Sequence, residues 1–181
     1  MQVLPSEGSE AGRAVFRKAN LYQAMAQLAG RNYKAALQSL DASKRWPENL
    51  GVGKPYDDFI DNRLENYIES AIYMGMGEKQ KARILLQSIA KYSHSGNQFD
   101  SAELLTALSL RKTGGKAEAD NLAASWLKNH PDSRMAQWCT AIYNGNSSKA
   151  TQFISAFSEQ ADNAPWEAYS YDSDFDLIIR F

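Results

Sequence analysis

Apolar residues recur along most of this chain at steps of three and four positions, the spacing of one face of an α-helix. Two clear runs are Leu21, Ala24, Met25 and Leu28, and Ile68, Ala71, Ile72 and Gly75. The alternation typical of a β-strand is nearly absent, and Gly and Pro separate the helical intervals. The pattern predicts an all-α fold of eight helices in four helical hairpins.

The four predicted hairpins share one internal spacing. A residue before the turn and a residue after it stand twelve positions apart, and three of the four pairs are small at both ends. The pairs are Ala24 and Ala36, Ser70 and Ala82, Ala107 and Ala119, and Trp138 and Ala150, with turns at Gly30, Gly77, Gly114 and Gly145. Because two helices approach closely only where the facing side chains are small, this spacing predicts the contact within each hairpin.

A buried stripe follows on the second helix of each hairpin, four and seven positions beyond the second small residue. Its members are Leu40, Ser43, Leu86, Ile89, Ala123, Trp126, Ile154 and Phe157. With these positions the chain resembles tetratricopeptide (TPR) repeats, and residues 101–131 match best, ending at Pro131. The alternative is an amphipathic helical bundle without true repeats, but the fourfold recurrence of one offset favours repeats.

The resemblance implies a right-handed α-α superhelix of about four TPR-like hairpins, stacked so that each buries the apolar face of the next. Residues 1–181 would form a single helical repeat domain. Its hairpins are expected at about 11–45, 58–92, 100–130 and 132–160, followed by a C-terminal cap at 165–181.

An insertion at 46–57, from Trp46 to Asp57, lengthens the first interval between hairpins. With the flanking hairpins it resembles a sequence segment of large bacterial proteins in which a mutarotase-like β-sandwich region precedes TPR-like repeats. Gly51 to Lys54 has the outline of a phosphate-binding loop, but Pro55 stands where Ser or Thr is required. We therefore expect a rigid loop that docks a neighbouring domain.

The composition excludes several classes of function. Twenty basic and twenty-one acidic residues give a formal charge of -1, which disfavours nucleic-acid binding. Cys139 is the single cysteine, and His94 and His130 have no companion at metal-ligand spacing. No apolar run is long enough to span a membrane. We expect no cofactor, no metal and no enzyme activity, and a cytoplasmic location only if the chain is complete.

Acidic residues gather at Asp57, Asp58, Asp61 and Glu65, and paired carboxylates could hydrolyse a glycosidic bond. A free-standing hydrolase is therefore a third hypothesis, although acids at helix starts and on helix surfaces account for the same pattern.

The TPR resemblance also implies a binding surface, because the first helix of each hairpin lines the concave side of such arrays. Carried over to this chain, the surface consists of Leu64, Tyr67, Met74, Leu104, Leu108, Arg111, Met135 and Tyr143, with Cys139 beside them. The clamp that holds a peptide's terminal carboxylate in some family members is not matched, since Leu21 and Met25 occupy its positions. The expected function is a non-enzymatic scaffold that binds a peptide or protein segment. The alternative is an accessory repeat domain of a larger bacterial carbohydrate-active protein, docking its β-sandwich catalytic region.

The end of the chain predicts a short helix capped by Ser173, with Phe175, Ile178, Ile179 and Phe181 on one apolar face. We expect the segment to cover the last hairpin near Phe153 and Phe157, since repeat arrays need terminal caps. The alternative is that it occupies the binding groove.

Overall fold

The computed structural model describes residues 10–47, 54–57, 60–92, 99–153 and 174–180. These residues form helices and their connections, and no strand occurs among them, which confirms the all-α fold class. The first seven helices are α1 Glu10–Ala29, α2 Tyr33–Ser43, α3 Arg63–Gly75, α4 Lys79–Ala90, α5 Ala102–Thr113, α6 Lys116–Asn129 and α7 Arg134–Tyr143. Residues 147–153 are also helical and are called α8, and α9 is Phe175–Ile178.

The chain forms two compact units, Met1–Ala82 and Arg83–Phe181, with the boundary inside α4. In the first unit α1, α2 and α3 pack against one another in all three combinations. In the second unit α5, α6 and α7 do the same. Within each unit, therefore, both helices of one hairpin contact the first helix of the next.

The turns within the helix pairs close in the same way. In the first, the backbone N–H of Arg31 donates to the Leu28 carbonyl oxygen at 2.9 Å, and that of Asn32 donates to the Gln27 oxygen at 2.8 Å. The same two hydrogen bonds, to carbonyl oxygens three and five residues earlier in the chain, recur in the other turns. Their donors are Gly77 and Glu78, Gly114 and Gly115, and Gly145 and Asn146. The first donor of every pair has a positive φ, and in the first turn it is Arg31 at 58°, one residue after the predicted Gly30.

This common turn sets the register of the helix pairs. Both members of every twelve-residue pair are buried, and the most exposed of them, Ser70, is only 3% exposed. The second-helix stripe is buried as well from Leu40 to Trp126, while Ile154 and Phe157 lie outside the described residues. The repeated spacing therefore predicted correctly which residues face inward.

The start of α2 and the end of α3 approach closely in the first unit. A Cβ atom added to Gly75 would lie 2.5 Å from Cε1 of Tyr33, closer than side chains tolerate. Glycine at this position makes room for the half-buried Tyr33 ring.

Side chains define two helix starts. The Asp100 carboxylate accepts from the backbone N–H of Glu103 at 3.2 Å, in the first turn of α5. In contrast, α3 begins at Arg63 rather than at about residue 58. Asp61 accepts from the Arg63 backbone N–H at 2.9 Å and pairs with its guanidinium at 2.7 Å, so this local contact marks the start of the helix.

The described part of the C-terminal segment packs on α7. The Phe175 ring meets Trp138 edge-on with 4.7 Å between centroids, and Leu177 and Ile178 are buried. Ile179, expected on the same apolar face, is 37% exposed. Because α9 is only one helical turn long, its buried side carries Leu177 instead of Ile179. Ser173, Phe157 and Phe181 lie outside the described residues.

Candidate interaction surface

In the first unit, the residues expected on the binding surface separate into core and surface. Leu64 and Tyr67 on α3 are 1% and 4% exposed, whereas Met74, near the end of the same helix, is 53% exposed. Met74 is therefore the residue of this set that offers apolar area to a partner.

The second unit shows the same division. Leu104, Met135, Cys139 and Tyr143 are buried, Leu108 is half-buried and Arg111 is exposed. Leu108 and Arg111 are three positions apart on α5 and so lie on one face of that helix.

The burial of most of these side chains has a physical cause in the packing. The first helix of a hairpin contacts its own partner and also the first helix of the next hairpin, as α1 contacts α3 and α5 contacts α7. The apolar side chains of the first helix therefore pack against two other helices of the unit. Among the residues of the predicted surface, Leu64, Tyr67, Leu104, Met135 and Tyr143 are buried, whereas Met74, Leu108 and Arg111 keep exposed area.

Arg111 lies over an aromatic ring at the surface of the second unit. Its guanidinium carbon is 5.0 Å from the centroid of Tyr143, whose hydroxyl donates to Oδ1 of Asp120 at 2.7 Å. Lys116 donates from Nζ to the other oxygen of that carboxylate at 2.8 Å. The result is a polar cluster in which Arg111 and Asp120 contact Tyr143, and Lys116 pairs with Asp120.

Two groups of this cluster have shifted pKa values. Burial raises the pKa of the Tyr143 phenol, and its hydrogen bond to Asp120 acts in the same direction. The hydrogen bond from Lys116 lowers the pKa of the Asp120 carboxyl, with the bond from Tyr143 as the next cause. Each shift follows from a structural contact, so neither requires a catalytic role.

The first unit contains a buried ion pair that sequence reasoning missed. Arg17 donates from Nε to Oε1 of Glu65 at 2.6 Å and from Nη2 to Oε2 at 3.0 Å, and Glu65 is 2% exposed. The two residues are 48 positions apart and lie on α1 and α3. No local pattern could have indicated their contact.

Arg13, one turn before Arg17 on α1, anchors the start of the connection between α2 and α3. Its Nη2 donates to the carbonyl oxygen of Ser43 at 2.7 Å, and its guanidinium lies 4.6 Å from the centroid of a Trp46 ring. Burial lowers the pKa of Arg13, the neighbouring Arg17 lowers it further, and Glu65 opposes both effects. The arginine thus ties Trp46, the first residue of the predicted insertion, to the helical unit.

The acidic residues on which the hydrolase hypothesis was based pair with different basic side chains. Asp57 pairs with Lys54 at 2.6 Å, Asp61 with Arg63 and Glu65 with Arg17, while Asp58 lies outside the described residues. Each of the three acids that the structure describes therefore has a basic partner within the chain.

The histidines were the remaining candidates for metal binding. His130 is the C-cap of α6 and its ring lies 5.3 Å from that of Phe99, while His94 lies outside the described residues. Over the described ranges, no group of three or more His, Cys, Asp or Glu side chains is placed to hold a metal ion. None of the helices in these ranges combines the length and the apolar character that a membrane span needs.

Comparisons with protein-family models, with curated proteins and with solved structures find no match.

Proposed function

We propose that the chain is a non-enzymatic TPR-like interaction or scaffold module that binds a peptide or protein segment. One observation carries the proposal: in the described chain, four helix pairs close with the same two turn hydrogen bonds and bury the same twelve-residue pair. A helical bundle without repeats has no reason to reuse one turn and one register. The proposed arrangement is a right-handed superhelix of about four hairpins, in which neighbouring repeats supply one another's core.

The pairwise packing inside each unit supports the same proposal. Helices α1, α2 and α3, and separately α5, α6 and α7, make the nearest-neighbour contacts that stacked hairpins need. The residues proposed to contact a partner are those of the first helices that remain accessible. They are Met74 in one unit and Leu108 with Arg111 in the other.

Selection from a random peptide library tests this function, with the affinity of the selected peptides measured afterwards. Leu108→Asp and Arg111→Glu are expected to weaken the selected peptides by about tenfold or more, as residues of a binding hot spot do. Ala124→Asp, at an exposed position of α6, is the matched control and should leave affinity unchanged. Peptides that bind with equal affinity to all three variants would contradict the assignment of this surface.

A second candidate is the accessory repeat domain of a larger carbohydrate-active protein. Tyr56 favours it, because this aromatic side chain is 82% exposed in the connection that Arg13 anchors through Trp46. Exposed aromatic side chains are enriched where proteins dock. If a β-sandwich region is encoded with this chain, Tyr56→Ser should weaken their association, whereas Lys34→Ser on α2 should not.

A further inference from the structure

Helix α4 carries a concentration of positive charge on its exposed side. Lys79, Lys81 and Arg83 lie in its first half, Lys91 follows its last residue, and all four are exposed. The helix itself contains no acidic residue. Its buried side is formed by Ala82, Leu86 and Ile89.

An isoleucine stands at the centre of the exposed side. At 100° per residue, Ile84 lies opposite the buried side of α4 and is 56% exposed. Gln80, Gln87 and Lys91 precede and follow it on the same face at helical spacing, and all are exposed. The face therefore combines one apolar side chain with amide groups and Lys91, while Arg83 and Lys79 lie to one side of it, about 100° and 140° around the helix from Ile84.

The position of the cations opposes the stability of the helix. The N-terminal end of a helix carries partial positive charge, so basic side chains in its first turns are unfavourable. The charge of Lys81 is offset by two neighbours. Its Nζ lies 3.7 Å from Oε2 of Glu78 and 5.3 Å from the centroid of the Tyr73 ring. Lys79 and Arg83 form no ion pair within the described part of the chain. Acidic residues at these positions would make the helix equally soluble, and they would also stabilise its N-terminal end.

We propose that the exposed face of α4 is a docking site for an acidic peptide segment that carries one apolar side chain. Carboxylates of the segment pair with Lys79, Arg83 and Lys91, and its apolar residue packs on Ile84. From Lys79 to Lys91 the helix is about 18 Å long. An extended segment of about five or six residues spans that length. This site is separate from the surface proposed above.

Charge and composition favour a peptide over a nucleic acid or a membrane. The chain has a formal charge of -1, and the cations in question lie along one helix rather than over a broad basic surface. Ile84 also adds an apolar contact that a phosphate backbone does not use.

Fluorescence anisotropy of labelled probes with the whole chain tests the site. The main probe is a hexapeptide of five glutamates and one central leucine, and a second hexapeptide has serine in place of leucine. A single-stranded oligonucleotide and vesicles with anionic lipid are the competing probes. We expect the leucine peptide to bind, the serine peptide to bind more weakly, and binding to weaken from about 50 to about 300 mM salt.

Variants place the binding on α4. The double variant Lys79→Glu with Arg83→Glu should reduce the affinity of the leucine peptide by about tenfold or more, and Ile84→Ser should reduce it severalfold. Lys128→Glu, an exposed charge reversal on α6, is the matched control and should not. Since acids favour a helix start, the double variant should melt no lower than the parent, so lost binding cannot be attributed to unfolding.

Three outcomes would overturn the proposal. They are no binding of the leucine peptide, equal losses in the α4 variants and in Lys128→Glu, or equal binding of the serine peptide. Stronger binding of the oligonucleotide or the vesicles, lost in the same α4 variants, would assign the face to a different class of partner.

Discussion

The hydroxyl of Tyr143, at the end of α7, donates a 2.7 Å hydrogen bond to Asp120 on α6. Arg111 lies over the same ring, so a phenol that is only 7% exposed connects three elements of the second unit. The consequences of this contact depend on pH.

We expect Tyr143 to make stability fall in alkali. Its pKa is raised, so the folded chain holds the phenolic proton more tightly than the unfolded chain, and its contribution is fully present below about pH 10. The contribution is lost as the pH rises through the folded pKa. Urea unfolding across this range should show a shallower alkaline loss in Tyr143→Phe than in the parent. An alkaline loss as steep in Tyr143→Phe as in the parent would contradict this assignment.

Removing Glu65 should be strongly destabilising. Its loss leaves Arg17 and the neighbouring Arg13 without their buried counter-charge, so Glu65→Ala is expected to cost about 3 to 5 kcal/mol in urea unfolding. Lys44→Ala breaks the more exposed pair with Glu69 and should cost less than about 1 kcal/mol. Similar losses in the two variants would show that burial of the Arg17 pair is unimportant.

Trp126 and Ala119 test the packing of the second unit. Trp126 is 2% exposed and meets Tyr143 and Phe99 edge-on with centroids 6.1 and 5.7 Å apart. Trp126→Ala should cost about 3 to 5 kcal/mol, and overpacking by Ala119→Leu about 1 to 3. Ala124→Leu on the exposed side of α6 should be nearly neutral in the same thermal melts. If both core variants melt like the parent, the repeat register is wrong.

A double-mutant cycle tests the close approach of Tyr33 to Gly75. Gly75→Ala alone should destabilise by about 1 to 3 kcal/mol, because the new methyl group displaces the Tyr33 ring. In a Tyr33→Ala background the same change should become neutral or stabilising, since alanine is the better helix former by about 1 kcal/mol. An equal effect of Gly75→Ala in both backgrounds would exclude this contact as the cause.

The terminal cap is tested by a pair of neighbouring residues on or beside α9. Leu177 has no exposed area, so Leu177→Ala should cost about 2 to 5 kcal/mol and promote aggregation. Ile179→Ala, at a residue that is 37% exposed, should have a small effect. If instead the segment occupies a binding groove, Leu177→Ala should leave stability unchanged and create affinity for apolar peptides.

The sequence by itself determined the helices, the turns and the inward-facing pairs of this protein. These features are local: a turn with one left-handed residue and two hydrogen bonds fixes the register of the adjoining helices, as Ala107 and Ala119 around Gly114 illustrate. The pattern of small residues twelve positions apart therefore contained enough information to place them.

Only the tertiary structure decided which first-helix residues are accessible and which charges meet. Leu104 and Leu108 lie one turn apart with similar sequence signals, yet Leu104 is buried and Leu108 is partly exposed. The difference depends on where α6 and α7 pack against α5. Likewise, Arg17 reaches Glu65 across 48 positions because α1 packs on α3. Burial and long-range pairing depend on neighbours supplied from distant parts of the chain, and periodicity within one helix does not identify those neighbours.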